Sequence, residues 1–302
     1  MSKTENNILL FSITVCWAAS YVFIKNLPQG FSTYAYLTMT CGIAAALLTV
    51  IFIRKFKKIT LVTAAKSSVL AVLMLLNLIF DKMGIDRLAS STASVLASSS
   101  ILIVPVVLII MKKMPTKNNL LGAVVIMAGI VITSGFKLRS VFSTGALFML
   151  LSAAASSIYT IAADKIAKEE DPLLLSVLQM WEAAVMGFVM WAMEEPLTFA
   201  AIEYTNEMLS SIFILAFFGK AYAYAALMYS QKYSDPISVT IIASTEPIVT
   251  LILAVLIPTA FEENFTSLSV LGAAVIMIGA IISGTDFLSR KTRKGGKRLE
   301  AK

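Results

Sequence analysis

The chain has 302 residues, 58% of them hydrophobic and 14% charged, with a mean hydropathy of +0.84; a soluble domain carries about 25% charged residues, and a water-soluble core cannot absorb this much apolar sequence. Histidine is absent, and the two cysteines, Cys16 and Cys41, lie inside apolar runs. That excludes a histidine-based catalytic site and a zinc cluster and implies no disulfide. The formal charge of +7 is dispersed over short loops and a tail rather than gathered in a stripe on a soluble domain, so it reads as membrane topology and not as nucleic-acid binding.

A spanning helix needs about 20 mostly apolar residues. Ten windows meet that in chain order: 8–26, 32–53, 68–86, 91–111, 118–135, 144–164, 172–193, 209–230, 236–257 and 267–284. The leading MSKTENN has little positive charge and no small-residue cleavage site before a long apolar run, so the first window reads as a retained span. Short connections with Pro28-Gln29-Gly30, Pro115, Asp171-Pro172, Pro196 and Asp235-Pro236 punctuate the series. No room remains for a soluble domain.

The fifth and tenth windows share a nonamer, LGAVVIMAG at 121–129 and LGAAVIMIG at 271–279, with seven residue types in register 150 positions apart. The preceding windows each hold a proline, Pro105 and Pro247, which this register pairs if eight residues around PTAFEENF are an insertion. On that pairing Ser98 and Thr240 are mates, and Glu246 faces the apolar Val104. The chain is therefore an internal duplication.

Basic residues of short loops stay on the cytoplasmic side. With the N-terminus inside, 19 of the 25 lysines and arginines fall inside, five fall outside (Lys25, Lys82, Arg87, Lys137, Arg139), and Lys220 lies within a span. Five spans per copy is an odd number, so the second copy enters the bilayer in the opposite sense. The fold expected is an all-α membrane protein of ten transmembrane helices in two inverted five-helix repeats, 8–135 and 144–284, followed by a basic cytoplasmic tail, 285–302. Inverted repeats supply two pseudo-equivalent conformations around a midplane site.

At these residues the chain resembles the EamA family of the drug/metabolite transporter superfamily, over essentially its whole length. The first span carries Trp17-Ala18-Ala19-Ser20-Tyr21 and then Lys25; LASSTASVLASSSILIVPV at 88–106 and YSDPISVTIIASTEPIV at 233–249 look like the family's small, hydroxyl-rich helices leading to a proline; glycine-paired fifth and tenth spans complete the pattern. Departures are Thr40 where an arginine often stands, Lys112-Lys113-Met114-Pro115 where a glutamate often follows the fourth span, and the displaced Glu262-Glu263 pair. The resemblance implies a transporter whose spans 1, 6 and 8 surround a central cavity, with span 7 at its flank.

Charged residues at mid-span cost about 2.5–3.5 kcal/mol on insertion scales, and Glu182, Lys220 and Glu246 each lie about ten residues into a span. Lys220 and Glu246 sit on consecutive antiparallel spans. Either they form a structural ion pair, or Lys220 meets a substrate anion while Glu246 takes a cationic group or exchanges a proton. Glu182 is either a second proton carrier or one end of a helix–helix hydrogen bond, with Gln179 the nearby partner. Ser98 and Thr240 are pocket candidates among hydroxyls that otherwise bond back to the preceding turn. Trp17, Tyr21, Tyr159, Tyr222 and Tyr224 are set to pack, to stack on a substrate, or to meet a cation. Asn77 and Asp81, one turn apart, form a polar entrance, or else Asp81 pairs with the Lys82 or Arg87 region.

The substrate-binding candidates are thus Trp17, Tyr21, Asn77, Ser98, Tyr159, Lys220, Tyr224 and Thr240, with Glu246 and Glu182 as proton-coupling candidates. The glycines Gly122, Gly129, Gly272 and Gly279 belong to a packing seam. The function expected is secondary transport of a small polar metabolite, an amino acid or related compound first, possible without any cofactor or metal. It is set against a non-transporting sensor or scaffold and against an integral-membrane enzyme, which the missing histidine and metal cluster disfavour. The expected partners are a small-molecule substrate, the lipid bilayer of the plasma (inner) membrane and, as an option, a second copy in a homodimer; nucleic acid is not one.

Overall fold

Serine, threonine and aspartate open the helices, because their side-chain oxygens accept from backbone N–H groups that have no partner in the first turn. Ser2 caps the first helix in a reciprocal box with Glu5, and Ser32, Thr60, Ser143, Thr205 and Asp235 cap others. The computed structural model describes residues 1–28, 30–88, 90–112, 115–133, 143–194, 204–256 and 266–284. The basic tail and Glu262-Glu263 lie outside them.

In chain order the helices are α1 (Lys3–Lys25), α2 (Thr33–Phe52) running into a 3-10 turn, α3 (Leu61–Ile85), α4 (Ser90–Ala97), α5 (Ser100–Ile110), α6 (Lys117–Thr133), α7 (Thr144–Glu169), α8 (Pro172–Glu194), α9 (Asn206–Ile214), a π-helical segment (Leu215–Tyr222), α10 (Ala223–Gln231), α11 (Pro236–Ala243), α12 (Glu246–Leu256) and α13 (Ser267–Gly284). Among the described residues all regular structure is helical, and eight helices, counting joined segments as one, are long and apolar enough to cross a membrane. Large apolar side chains face outward along them, including Leu61, Val50, Met193 and Ile110. Such a belt is unfavourable in water and favourable against lipid tails.

Packing is made by small residues. On α6 and α13 a Cβ at Gly122 would lie 2.6 Å from the Gly279 carbonyl oxygen, one at Gly129 would lie 2.8 Å from that of Gly272, and one at Gly279 would lie 2.9 Å from that of Gly122. The repeated nonamers are therefore a backbone-to-backbone seam, as their spacing suggests. Elsewhere α2 lies along α8 with Gly187 against Thr38, α3 lies along α7, and α1 packs against α12, α10 and the π segment.

The proline register of the two copies needs correcting. One helix break separates α4 from α5, another separates α11 from α12, and both pairs of helices start 146 positions apart. The hydrogen bonds of the breaks repeat at that spacing. Ser98 N–H bonds Ser94 and Ser244 N–H bonds Thr240; Ser99 bonds Leu96 and Thr245 bonds Ile242; Leu102 bonds Ser99 and Ile248 bonds Thr245. A fourth bond, Ile101 N–H to the Ser98 carbonyl at 3.1 Å, has its counterpart at Pro247, which has no N–H to give. Ser98 therefore matches Ser244, and Glu246 matches Ser100 rather than Val104. Pro105 sits inside α5 whereas Pro247 sits in the first turn of α12. The extra residues between this point and the glycine seam number four, the difference between 150 and 146, not eight.

Candidate functional site

A cavity of about 100 Å³ lies among α1, α3, α7, the π segment and the two helix breaks, room by volume for about three waters. It meets α1 from Trp17 to Ile24 and α3 from Asn77 to Ile85, so it extends toward the end of the bundle where these two helices finish. Nine of the ten candidates line it: Trp17, Tyr21, Asn77, Ser98, Tyr159, Lys220, Tyr224, Thr240 and Glu246. Glu182 does not. Its two carboxylate oxygens accept from Ser67 Oγ at 2.8 Å and Ser68 Oγ at 2.9 Å, which ties α8 to α3. Gln179 is not its partner, because it accepts instead from the Tyr159 hydroxyl at 3.0 Å.

Lys220 comes inward because its helix turns π. A π turn carries an extra residue and rotates the remainder of the helix about its axis, so Lys220 is 7% exposed while Phe217, Phe218 and Tyr222 face out. Tyr222 thus leaves the cavity group and meets Ser12 Oγ at 2.7 Å. Gly219 permits the close approach to α1, since a Cβ there would stand 2.6 Å from Ser20 Oγ. The Lys220 ammonium lies over the rings of Tyr36 at 5.7 Å and Tyr224 at 6.0 Å. Neither Lys220 nor Glu246 appears in an ion pair among the described residues. The expected Lys220–Glu246 ion pair is therefore not formed, although both residues line the cavity together with Asp81.

Asp81 is the residue the sequence placed only at an entrance. It faces the cavity, where the Tyr21 hydroxyl donates to it at 3.5 Å and Glu246 shares the lining. The alternative partners are spent: Lys82 bonds both oxygens of Asp86 at 2.6 Å, and Arg87 donates to the Met83 carbonyl at 2.7 Å. The Asn77–Asp81 spacing was the signal for this; Tyr36, on a span with no flagged group, gave none. Asn77 Nδ2 donates to Ser152 at 2.9 Å and so fixes α3 on α7.

One wall is aromatic, with Tyr224 edge-on to Trp17 at 6.0 Å and to Tyr159 at 5.9 Å. At the far end of the bundle polar contacts join the helices. Lys55 pairs with Asp171 at 2.5 Å, Lys66 with Glu169 at 3.0 Å and Glu170 at 2.7 Å, and Asn6 bonds Ser230 and Ser234. The Lys66 ammonium and the Thr63 hydroxyl hold the Glu170 carboxyl below the usual carboxylate range.

The sequence profile of the EamA-like transporter family matches residues 6–135 and again 143–285. No curated protein matches the chain. Among solved structures, one titled only as a crystal structure of a protein is 15% identical, with a TM-score of 0.72 over 94% of this chain and 98% of its own; at that identity the likeness is one of fold.

Proposed function

The chain belongs to the EamA-like transporter family, a multi-pass membrane protein of drug/metabolite transporter type, and we propose that it moves a small polar metabolite by alternating access, coupled to protons at Glu246. The observation that carries this reading is a cavity at mid-depth where Asp81, Lys220 and Glu246 converge from helices of both family matches. Ionisable groups in a span are costly, and they face a water-filled path or a partner when they persist.

The spans are ten in two inverted five-helix repeats, 8–135 and 144–284, with N-terminus, C-terminus and the 285–302 tail cytoplasmic at the plasma membrane. Reciprocal packing supports the inversion. The second and seventh spans pack together, as do the fifth and tenth, and the contacts of the first span with the eighth and ninth mirror those of the sixth with the third and fourth. A two-fold exchange of the copies produces that pattern. In this orientation the cavity faces outward, and the Lys55, Lys66 and Asn6 contacts close the cytoplasmic end.

The substrate-binding residues are Trp17, Tyr21, Asn77, Ser98, Tyr159, Lys220, Tyr224 and Thr240, joined by Asp81; Glu182 acts as a helix–helix hydrogen-bond acceptor. An amino acid or related compound fits, its ammonium toward the carboxylates. The test is a metabolite panel in proteoliposomes with and without a pH gradient, comparing wild type with Glu246→Gln. Gradient-driven uptake by wild type and its loss in the variant are expected; undiminished uptake by the variant overturns the proton role, and no transport across the panel overturns the transport reading.

A further inference from the structure

The polar lining of the cavity is unbalanced. A serine or threonine hydroxyl has one proton to give and two lone pairs to accept with, and four of these hydroxyls have given theirs to backbone carbonyls of their own helices. Ser20 donates to Cys16 at 2.9 Å, Ser98 to Ser94 at 3.0 Å, Ser157 to Ala153 at 2.6 Å and Thr240 to Pro236 at 2.7 Å. What they present inward is acceptor capacity alone. Tyr21 spends its proton on Asp81 and Asn77 its amide on Ser152.

The charges lean the same way. Two carboxylates, Asp81 and Glu246, share the cavity with a single ammonium, Lys220. Lys220 lies over the faces of Tyr36 and Tyr224, and the next cation, Lys82 beneath Tyr36, is matched to Asp86. Two carboxylates against one ammonium leave the lining one positive charge short. An ammonium carries three donors and no acceptor. It is a group that fills a net-acidic site several of whose hydroxyls can only accept, and aromatic faces add to its binding.

Resting on the transport reading above, we propose that the ligand is an organic cation bearing a primary ammonium, seated between Asp81 and Glu246 with its carbon body along Trp17, Tyr224 and Tyr159. A diamino acid of net charge +1 meets these terms, and a diamine meets them with one ammonium and turns the other to the open end of the cavity; a neutral zwitterion leaves one carboxylate unmatched, and a dianion adds to the negative excess. A quaternary ammonium brings charge without N–H donors, so it separates the hydrogen-bonding argument from the charge argument.

Calorimetry on the purified full chain in detergent, with 1,5-diaminopentane, lysine, leucine, succinate and tetramethylammonium as probes, tests this. Diaminopentane and lysine are expected to bind at least tenfold more tightly than leucine, with succinate silent and tetramethylammonium weaker than the diamine. Asp81→Asn and Glu246→Gln, near-isosteric and checked for unchanged thermal unfolding, are each expected to weaken the diamine by tenfold or more. Leucine or succinate binding more tightly than the diamine, or diamine binding unchanged in the Asp81→Asn, Glu246→Gln double variant, overturns the proposal. Tetramethylammonium matching the diamine overturns the donor argument on which it rests. Binding without movement across proteoliposomes would fail the transport reading alone, whereas transport of a dianion would keep that reading and sink this one.

Discussion

The two helix breaks share a backbone and differ in chemistry. At the first, Ser98-Ser99-Ser100-Ile101 joins α4 to α5; at the second, Ser244-Thr245-Glu246-Pro247 joins α11 to α12. Three hydrogen bonds repeat between them residue for residue, and the fourth is lost only because proline has no N–H. Yet one break brings a neutral hydroxyl to the cavity and the other a carboxylate. The backbone device belongs to the duplication, whereas the charge belongs to one copy. A carboxylate at Glu246 also begins α12, where a helix N-terminus favours negative charge, and a proline in a first turn interrupts no bond of the helix interior.

That division can be broken at several points. The largest effect is expected at the seam that holds the copies in register: Gly129→Val and Gly279→Val each push a side chain into facing backbone and should cost about 2–3 kcal/mol or more. Thermal unfolding in detergent reads this, and tolerance of one but not the other would break the equivalence of the copies. Next comes the asymmetry itself. Glu246→Gln removes a charged hydrogen-bonding group worth about 1.5–3 kcal/mol, on the order of a tenfold to hundredfold loss of gradient-driven uptake, while Ser100→Ala at the matching position should change uptake less than about twofold. Equal losses would mean that the charge is not what distinguishes the second break.

Pro247→Ala makes the second break resemble the first, since the new N–H can bond the Ser244 carbonyl as Ile101 bonds Ser98. The gain of about 1 kcal/mol is offset by the freer unfolded chain, so stability should move by less than about 1 kcal/mol. A larger loss would show that proline, not the sequence before it, makes the break. The smallest effect is expected at the far end, where Glu170→Gln should cost about 0.2–1 kcal/mol. Because Lys66 and Thr63 hold Glu170 below its ordinary value, its contribution is present above the unfolded carboxylate range and is lost as pH falls through the folded value. The difference in melting temperature between wild type and this variant should therefore close in acid, and a difference that widens in acid would contradict the ion pair.

Much of the site was legible because polar residues in an apolar span have few reasons to be there. Lys220, Glu246, Trp17, Tyr21, Asn77 and Tyr224 were picked on that ground and all line one cavity. Glu182 met the same criterion and went elsewhere, because depth along a helix says nothing about azimuth, and two serines of α3 satisfied it. Asp81 was discounted for its basic neighbour in sequence, but neighbours in sequence point to different faces of a helix, and Lys82 turned to Asp86. The proline register failed for a related reason: two prolines in similar runs were matched by type, although one stands in a helix interior and the other in a first turn.

By itself the sequence determined that this chain lives in a membrane, that it was duplicated, and which polar groups its spans must house, since composition, periodicity and burial cost act locally along the chain. Only the tertiary structure decided which of those groups meet. The π turn at Lys220, the glycine seam, and the spending of hydroxyl protons on the preceding turn set azimuth and hydrogen-bond polarity. Those depend on what the neighbouring helix presents, and so Lys220 met the rings of Tyr36 and Tyr224 rather than the Glu246 carboxylate.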